Sequence, residues 1–243
     1  MEEYTQRTYG EEWAAEYDTI HGELDPTQAV ETLADLAAGG PVLELAIGTG
    51  RIALPLKERG VEIHGVDISD AMVAQLRTKR GGEEIPVTMG NFAEVDFGGE
   101  FPLIFLAFNT IFGLLTQEDQ LRLFENVAKQ LTEDGVFVIE AFVPDLTRYN
   151  RDQRVSALEV ELDSVRIEFS KHDPSKQLLE SQIATLSADG IKMRPIRLRY
   201  AYPPELDLMA KLAGLRLRER WGGWDRSEFG PRSSQHVSVY ERT

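Results

Sequence analysis

Along the first half of this chain, short unbroken apolar runs alternate with stripes of apolar residues spaced three to four positions apart. The runs at 41–45, 61–66, 86–90, 101–108 and 136–142 read as strands. The run at 101–108 is apolar almost throughout, which suits a strand covered on both faces. Helical stripes fall at 27–36, 51–59, 71–80 and 117–131. Their boundaries carry local signals: Asp25-Pro26 opens the first and Gly39-Gly40 ends it, Gly60 closes the second, and Ser69-Asp70 offers N-cap chemistry to the third. Pro55 falls in or just past the first turn of the second helix, marking a late start or a kink. Asp134-Gly135 turns the fourth helix into the fifth strand. Strand and helix alternating in this way imply a parallel, doubly wound sheet.

Past residue 144 the rhythm changes. Segments 156–162, 165–172, 178–186 and 191–202 are strand-like and joined by turns at 172–176 and 188–190, a spacing that predicts antiparallel hairpins. A helix at 204–213 stops at Gly214, and two last strands follow at 215–220 and 236–242. Within 194–200 polar and apolar residues nearly alternate, so Arg194, Arg197 and Arg199 are expected mostly on a wet face. His172 falls in an expected turn and should be solvated, whereas His236 begins a strand and should be structural. Near the start, Tyr9, Trp13 and Tyr17 recur at four-residue spacing and would share one face of a helix over 4–24.

The chain has 243 residues, 42% of them hydrophobic, enough for one large core. It has no cysteine, which removes disulfides, thiolate metal sites and cysteine nucleophiles; no metal-binding cluster is visible either. A net charge of −15 opposes approach to nucleic acid, although the stretch from Lys192 to Arg226 is locally basic and could partner a small acidic group. The most apolar stretch, 101–115, is interrupted by Pro102, Asn109, Thr110 and Gly113 and is too short to span a bilayer. The acidic start lacks the basic and apolar regions of a signal peptide, so a soluble, cytoplasmic protein without a membrane partner is expected.

The candidate chemistry gathers at the first two strands. The run V-L-E-L-A-I-G-T-G-R over 42–51 takes an apolar strand through a glycine loop into a helix, and the next strand ends at Asp67. Gly48 and Gly50 allow a sharp turn and close approach of a ligand to the backbone N–H groups. Asp67 lies where a carboxylate would meet a ribose diol. Two cofactors fit this pattern. As Gly48-Thr49-Gly50-Arg51-Ile52-Ala53 the loop satisfies the dinucleotide pattern, in which a helix N-terminus holds a pyrophosphate. Glu44, inside the preceding strand, is awkward beside a pyrophosphate but suits a cationic ligand such as S-adenosylmethionine, with its ammonium and sulfonium.

The segments E-L-A-I-G-T-G-R and G-V-D-I-S resemble the first motif and the acidic second-strand position of class I S-adenosylmethionine-dependent methyltransferases. Gly90-Asn91-Phe92, Ala107-Phe108-Asn109 and the turn over 131–136 extend the resemblance across most of 10–142. The family usually has glycine where this chain has Ala46. The resemblance implies that Glu44, Ala46, Gly48, Gly50 and Ala107 surround the methionine end of the cofactor, Asp67 the ribose, and Ile68, Asn91 and Phe92 the adenine. The aromatic segment at 1–25 looks like a lid helix of small-molecule methyltransferases, with Tyr9 and Tyr17 toward the sulfonium and Trp13 toward the acceptor. The insertion at 151–202 is similar to the cover of amino-sugar and secondary-metabolite methyltransferases, which builds a substrate pocket or an oligomer interface.

The expected fold is therefore α/β: a doubly wound, mostly parallel, seven-stranded Rossmann-like sheet. An antiparallel β cover is inserted between strand five and the last helix, all within one domain over 1–243. Tyr17, His21 and Glu140 are candidate proton acceptors, and Trp13, Asn109, Phe112, Arg199 and Trp224 candidate contacts to a small-molecule acceptor. Methyl transfer from S-adenosylmethionine to an amine nitrogen is the expected activity. O-methylation, a nicotinamide oxidoreductase and a non-catalytic cofactor-binding protein stay open, as does assembly into a homo-oligomer.

Overall fold

The protein is represented by a computed structural model that describes residues 4–22 and 24–243. Strands β1 (Val42–Leu45), β2 (Ile63–Asp67), β3 (Val87–Met89), β4 (Phe101–Leu106) and β5 (Leu131–Phe142) pair in parallel, and β10 (Leu215–Trp221) and β11 (Gln235–Arg242) join antiparallel. The seven strands run in the order β10-β11-β5-β4-β1-β2-β3. Helices α3 (Thr27–Ala37), α4 (Ala53–Glu58), α5 (Asp70–Thr78), α6 (Gln117–Gln130) and α7 (Pro203–Leu212) surround it. Period-two alternation sends Leu43, Ile104 and Phe137 into one core layer with α6 and α7, and Val42, Leu103 and Val138 into the other with α3 and α4. This is the doubly wound fold expected from the alternating pattern.

The insertion forms a second, antiparallel sheet of β6 (Gln153–Val160), β7 (Ser164–Asp173), β8 (Leu178–Ser187) and β9 (Gly190–Arg199), in that spatial order. Its inward face supplies Arg166, Ile183, Ile196 and Leu198 to a cavity at the carboxyl edge of the parallel sheet, where open α/β sheets place their ligands. Facing it, the N-terminal segment forms α1 (Gln6–Trp13) and α2 (Tyr17–His21).

Several local expectations are corrected. The single helix over 4–24 is broken at residues 14–16, and Glu16 at the break pairs with Arg194 of β9 at 2.6 Å. The second helix starts late, at Ala53, because Gly48 through Ile52 form the loop, and this leaves Pro55 harmlessly in its first turn. Strand β5 starts at Leu131, a register shift against β4 absorbing the Asp134-Gly135 stretch. Arg194 and Arg199 are buried rather than wet, since each finds a carboxylate: Glu16 for the first, Glu205 at 2.8 Å for the second. His172 lies on β7, buried, with Nε2 2.7 Å from the Tyr200 hydroxyl. No described helix is long and apolar enough to cross a membrane.

Candidate functional site

The cavity holds about 360 Å³, within the range of small-molecule sites. A smaller recess of about 40 Å³ shares Tyr17, Ala46, Gly48, Phe108 and Thr110 with it and is also lined by Glu44, Arg51 and Ala107. The glycine loop floors both. Ala46 sits at φ 54°, the left-handed region, which explains why glycine would be at home there. Gly48 lies at φ 56° with open space beside it, and its N–H donates to Asp67 Oδ2 at 2.7 Å. The other oxygen of Asp67 accepts from Ser69 N–H at 2.8 Å, so the carboxylate is fixed before any ligand arrives. Burial raises the Asp67 carboxyl above its ordinary range.

Glu44 is fully enclosed, and burial drives its carboxyl well above the usual carboxylate range, against the pull of Arg51. Its Oε2 has no hydrogen-bond partner among the described residues. A buried, unpartnered carboxylate oxygen is costly in isolation and is relieved by a cationic donor. The ammonium of a bound S-adenosylmethionine fits that need, while a pyrophosphate would aggravate it.

Helices α1 and α2 set a box of aromatic rings above this floor. Tyr9 stacks on Trp13 at 5.5 Å, and His21 lies 4.7 Å from Tyr17, 6.4 Å from Trp13 and 5.1 Å from Phe108. Burial raises both tyrosine phenols, so they remain protonated at neutral pH. Burial lowers His21, and the neighbouring Arg51 and Arg166 guanidiniums lower it further, so the imidazole is neutral there. Three bonds link the N-terminal helices, the glycine loop and the end of α5: Thr49 Oγ1 donates to Asp18 at 2.6 Å, Lys79 pairs with Asp18 at 2.6 Å, and Lys79 Nζ donates to the Thr49 carbonyl at 2.7 Å. Gly10 permits the close crossing with α5, since a Cβ there would meet Ser69 Cβ at 2.4 Å.

Of the residues singled out in the sequence, Tyr9, Trp13, Tyr17, His21, Ala46, Gly48, Asp67, Ile68, Asn91, Phe92 and Asn109 line the cavity, and Glu44 and Ala107 the recess. The others, and the side-chain oxygen of Asn109, have different employment. Gly50 is a packing residue: a Cβ there would lie 2.5 Å from Leu76 Cδ1. Glu140 accepts a hydrogen bond from Phe108 N–H at 2.8 Å and so shapes the turn after β4 instead of facing the acceptor. Asn109 reaches the cavity, but its Oδ1 is spent on Phe142 N–H at 2.6 Å. Phe112 is fully buried in the core, packed edge-on against Phe142. Arg199 is a strut from the cover to α6 and α7, bonded to Gln120, Gln177 and Glu205. Trp224 packs on the opposite core layer, its carbonyl accepting from Thr32.

Lys79 and Arg166 escaped the sequence reading, and Thr49 and Arg51 entered it only as members of the glycine-loop motif, without a role of their own. Phe108 and Asn109, both with positive φ, form a strained turn facing the cavity that no local residue preference announces.

Comparison with known proteins agrees with this geometry. The profile of a methyltransferase domain matches residues 42–135. The structure of the CcbJ methyltransferase from Streptomyces caelestis superposes with a TM-score of 0.92 at 40% identity, over 99% of this chain and 100% of that one. A cypemycin N-terminal methyltransferase from a Streptomyces species is 25% identical over 84% of both chains. A dTDP-4-amino-2,3,4,6-tetradeoxy-D-glucose N,N-dimethyltransferase from Saccharopolyspora spinosa is 31% identical over 54% of this chain and 49% of its own length. With its open carboxylate in the recess, its fixed Asp67 and these relatives, the chain belongs to the S-adenosylmethionine-dependent methyltransferases of the small-molecule, secondary-metabolite type.

Proposed function

We propose that the enzyme methylates an amine nitrogen of a small-molecule acceptor seated between the aromatic lid and the β cover. The observation that carries this reading is His21: a neutral imidazole in the cavity wall, beside two guanidiniums that disfavour any further positive charge. Those cations make a nearby ammonium more acidic, so a weak base can free the amine lone pair. An alkanol hydroxyl is far less acidic and would demand a stronger base than His21. One of the relatives is, by name, an N,N-dimethyltransferase of an amino sugar, which supports the same choice.

S-adenosylmethionine, when bound, supplies an electrophilic methyl group on a sulfonium leaving group. Glu44 would hold its ammonium, Asp67 its ribose hydroxyls, Ile68, Asn91 and Phe92 its adenine, and Tyr9 and Tyr17 the sulfonium side. The protonated phenols act there as neutral dipoles, which leaves His21 as the proton acceptor. The aromatic box excludes water and restricts the acceptor to a narrow range of approach, the main requirements of an in-line displacement.

The test is a set of matched acceptors, each an amine paired with the corresponding alcohol, incubated with S-adenosylmethionine and the enzyme, with the methylated atom located by NMR. The reading requires transfer to nitrogen, slowed by His21→Asn. Transfer confined to oxygen would replace it with O-methylation.

A further inference from the structure

Most charged groups around the cavity already have partners. Arg51 sits 5.1 Å from the Phe108 ring centre in the Glu44 recess, and Arg197 is held by Glu180, its Nε donating at 2.6 Å. Asp67 is the one carboxylate among the residues lining the main cavity, and two backbone N–H groups fix it at the cofactor end. Two donors remain. Trp13 is 3% exposed and lines the cavity, yet its indole Nε1 finds no acceptor among the described residues. Arg166 reaches the cavity from β7, and its buried Nε makes no hydrogen bond, although Glu159 Oε2 lies 3.1 Å away in an ion pair. One ion pair leaves most of the five guanidinium donors unused.

Buried donors without acceptors cost stability, and each calls for a partner that completes it, of which a ligand in the adjoining cavity is one. The cover end of this cavity offers an acceptor these two donors, while the neighbouring carboxylate, Glu159, pairs with Arg166 and is not among the lining residues. A simple cationic amine would find no uncommitted carboxylate among the residues lining that end. We infer that the acceptor carries a carboxylate beside its methyl-accepting amine, bound by the Arg166 guanidinium and the Trp13 indole N–H. The carboxylate offsets the guanidinium charge, and its planar pair of oxygens matches the arginine fork. His21 stacks beside Trp13, which puts the proton acceptor next to this anchor. The inference rests on amine methylation as the reaction and names the acceptor class that the same cavity would select.

The experiment is a calorimetric titration of the protein loaded with S-adenosylhomocysteine, using phenylacetate and its neutral isostere phenylacetamide as probes. Phenylacetate should bind saturably and at least about tenfold more tightly than the amide, the effect of one charge-assisted hydrogen bond. In Arg166→Gln that preference should vanish while S-adenosylhomocysteine binds as in the wild type, which shows that the variant is folded. Equal or tighter binding of the amide, an undiminished preference in Arg166→Gln, or no saturable phenylacetate binding would each overturn the inference. Such results would leave amine methylation standing, since transfer to nitrogen in the matched-acceptor assay is read independently of any carboxylate.

Discussion

Alanine at Gly48 and at Gly50 should produce opposite kinds of damage, although the two glycines look alike in the sequence. Both lie at positive φ, 56° and 82°, where a Cβ costs about 1–2 kcal/mol. At Gly50 the new methyl group would also lie 2.5 Å from Leu76 Cδ1 and 3.1 Å from Leu54 Cγ, two side chains packed in the core. Overpacking of that kind costs about 1–3 kcal/mol, which brings the total to about 2–5 kcal/mol. At Gly48 the nearest atom to a Cβ is the Ala46 carbonyl at 3.9 Å, so the fold loses only the backbone cost. Its methyl group would instead occupy space that lines both cavity and recess. Urea unfolding followed by circular dichroism measures the first effect: with a slope of about 2–3 kcal/mol/M, Gly50→Ala should lower the midpoint by about 1 M or more. Calorimetry with S-adenosylhomocysteine measures the second: Gly48→Ala should bind at least about tenfold more weakly, whereas folded Gly50→Ala stays near wild type. Normal stability in Gly50→Ala together with normal ligand affinity in Gly48→Ala would refute the division of labour.

Glu44→Gln should stabilise the ligand-free protein at neutral pH. Because burial raises the Glu44 carboxyl in the folded state, folding binds a proton, and wild-type stability falls by about 1.4 kcal/mol per pH unit between the ordinary glutamate range and the raised value; thermal melts of both proteins should converge near pH 4 and separate as pH rises. His21 is lowered by burial and by Arg51 and Arg166, so the acid limb of kcat/KM against pH should lie below the ordinary histidine range, move up in Arg166→Gln and disappear in His21→Asn. Removing the Arg199 strut with Arg199→Met leaves Gln120, Gln177 and Glu205 short of a buried partner, for a loss of about 3–5 kcal/mol in urea unfolding with little change in S-adenosylhomocysteine affinity of the folded fraction.

The glycine-loop side of the cavity, where we propose the cofactor sits, was legible in the sequence because it is built from consecutive residues. A strand, a glycine loop and an acid at the next strand end are local features, and Gly48, Asp67 and Glu44 fell where the motif puts them. The N-terminal segment was half legible. The four-residue spacing of Tyr9, Trp13 and Tyr17 pointed them the same way, but the break at 14–16 depends on Glu16 meeting β9, a contact remote in sequence. The cover side of the cavity was largely hidden. Arg166, Arg194 and Arg199 sit on strands of similar alternating pattern, and only tertiary pairing makes the first a cavity wall, the second a lid anchor and the third a buried strut. Glu140 shows the converse: a lone acid in an apolar strand suggested chemistry, and the backbone N–H of Phe108 had claimed it.

The central claim is that the unpartnered carboxylate of Glu44 receives the cofactor's ammonium while Asp67 holds its ribose. The most direct measurement compares the affinities of wild type and Glu44→Gln for S-adenosylhomocysteine and for 5′-methylthioadenosine, which lacks the amino-acid portion. Loss of a buried, charge-assisted contact should weaken S-adenosylhomocysteine by about tenfold or more and leave 5′-methylthioadenosine unchanged. Equal effects on both ligands, or none on either, would contradict the assignment of Glu44 to the ammonium.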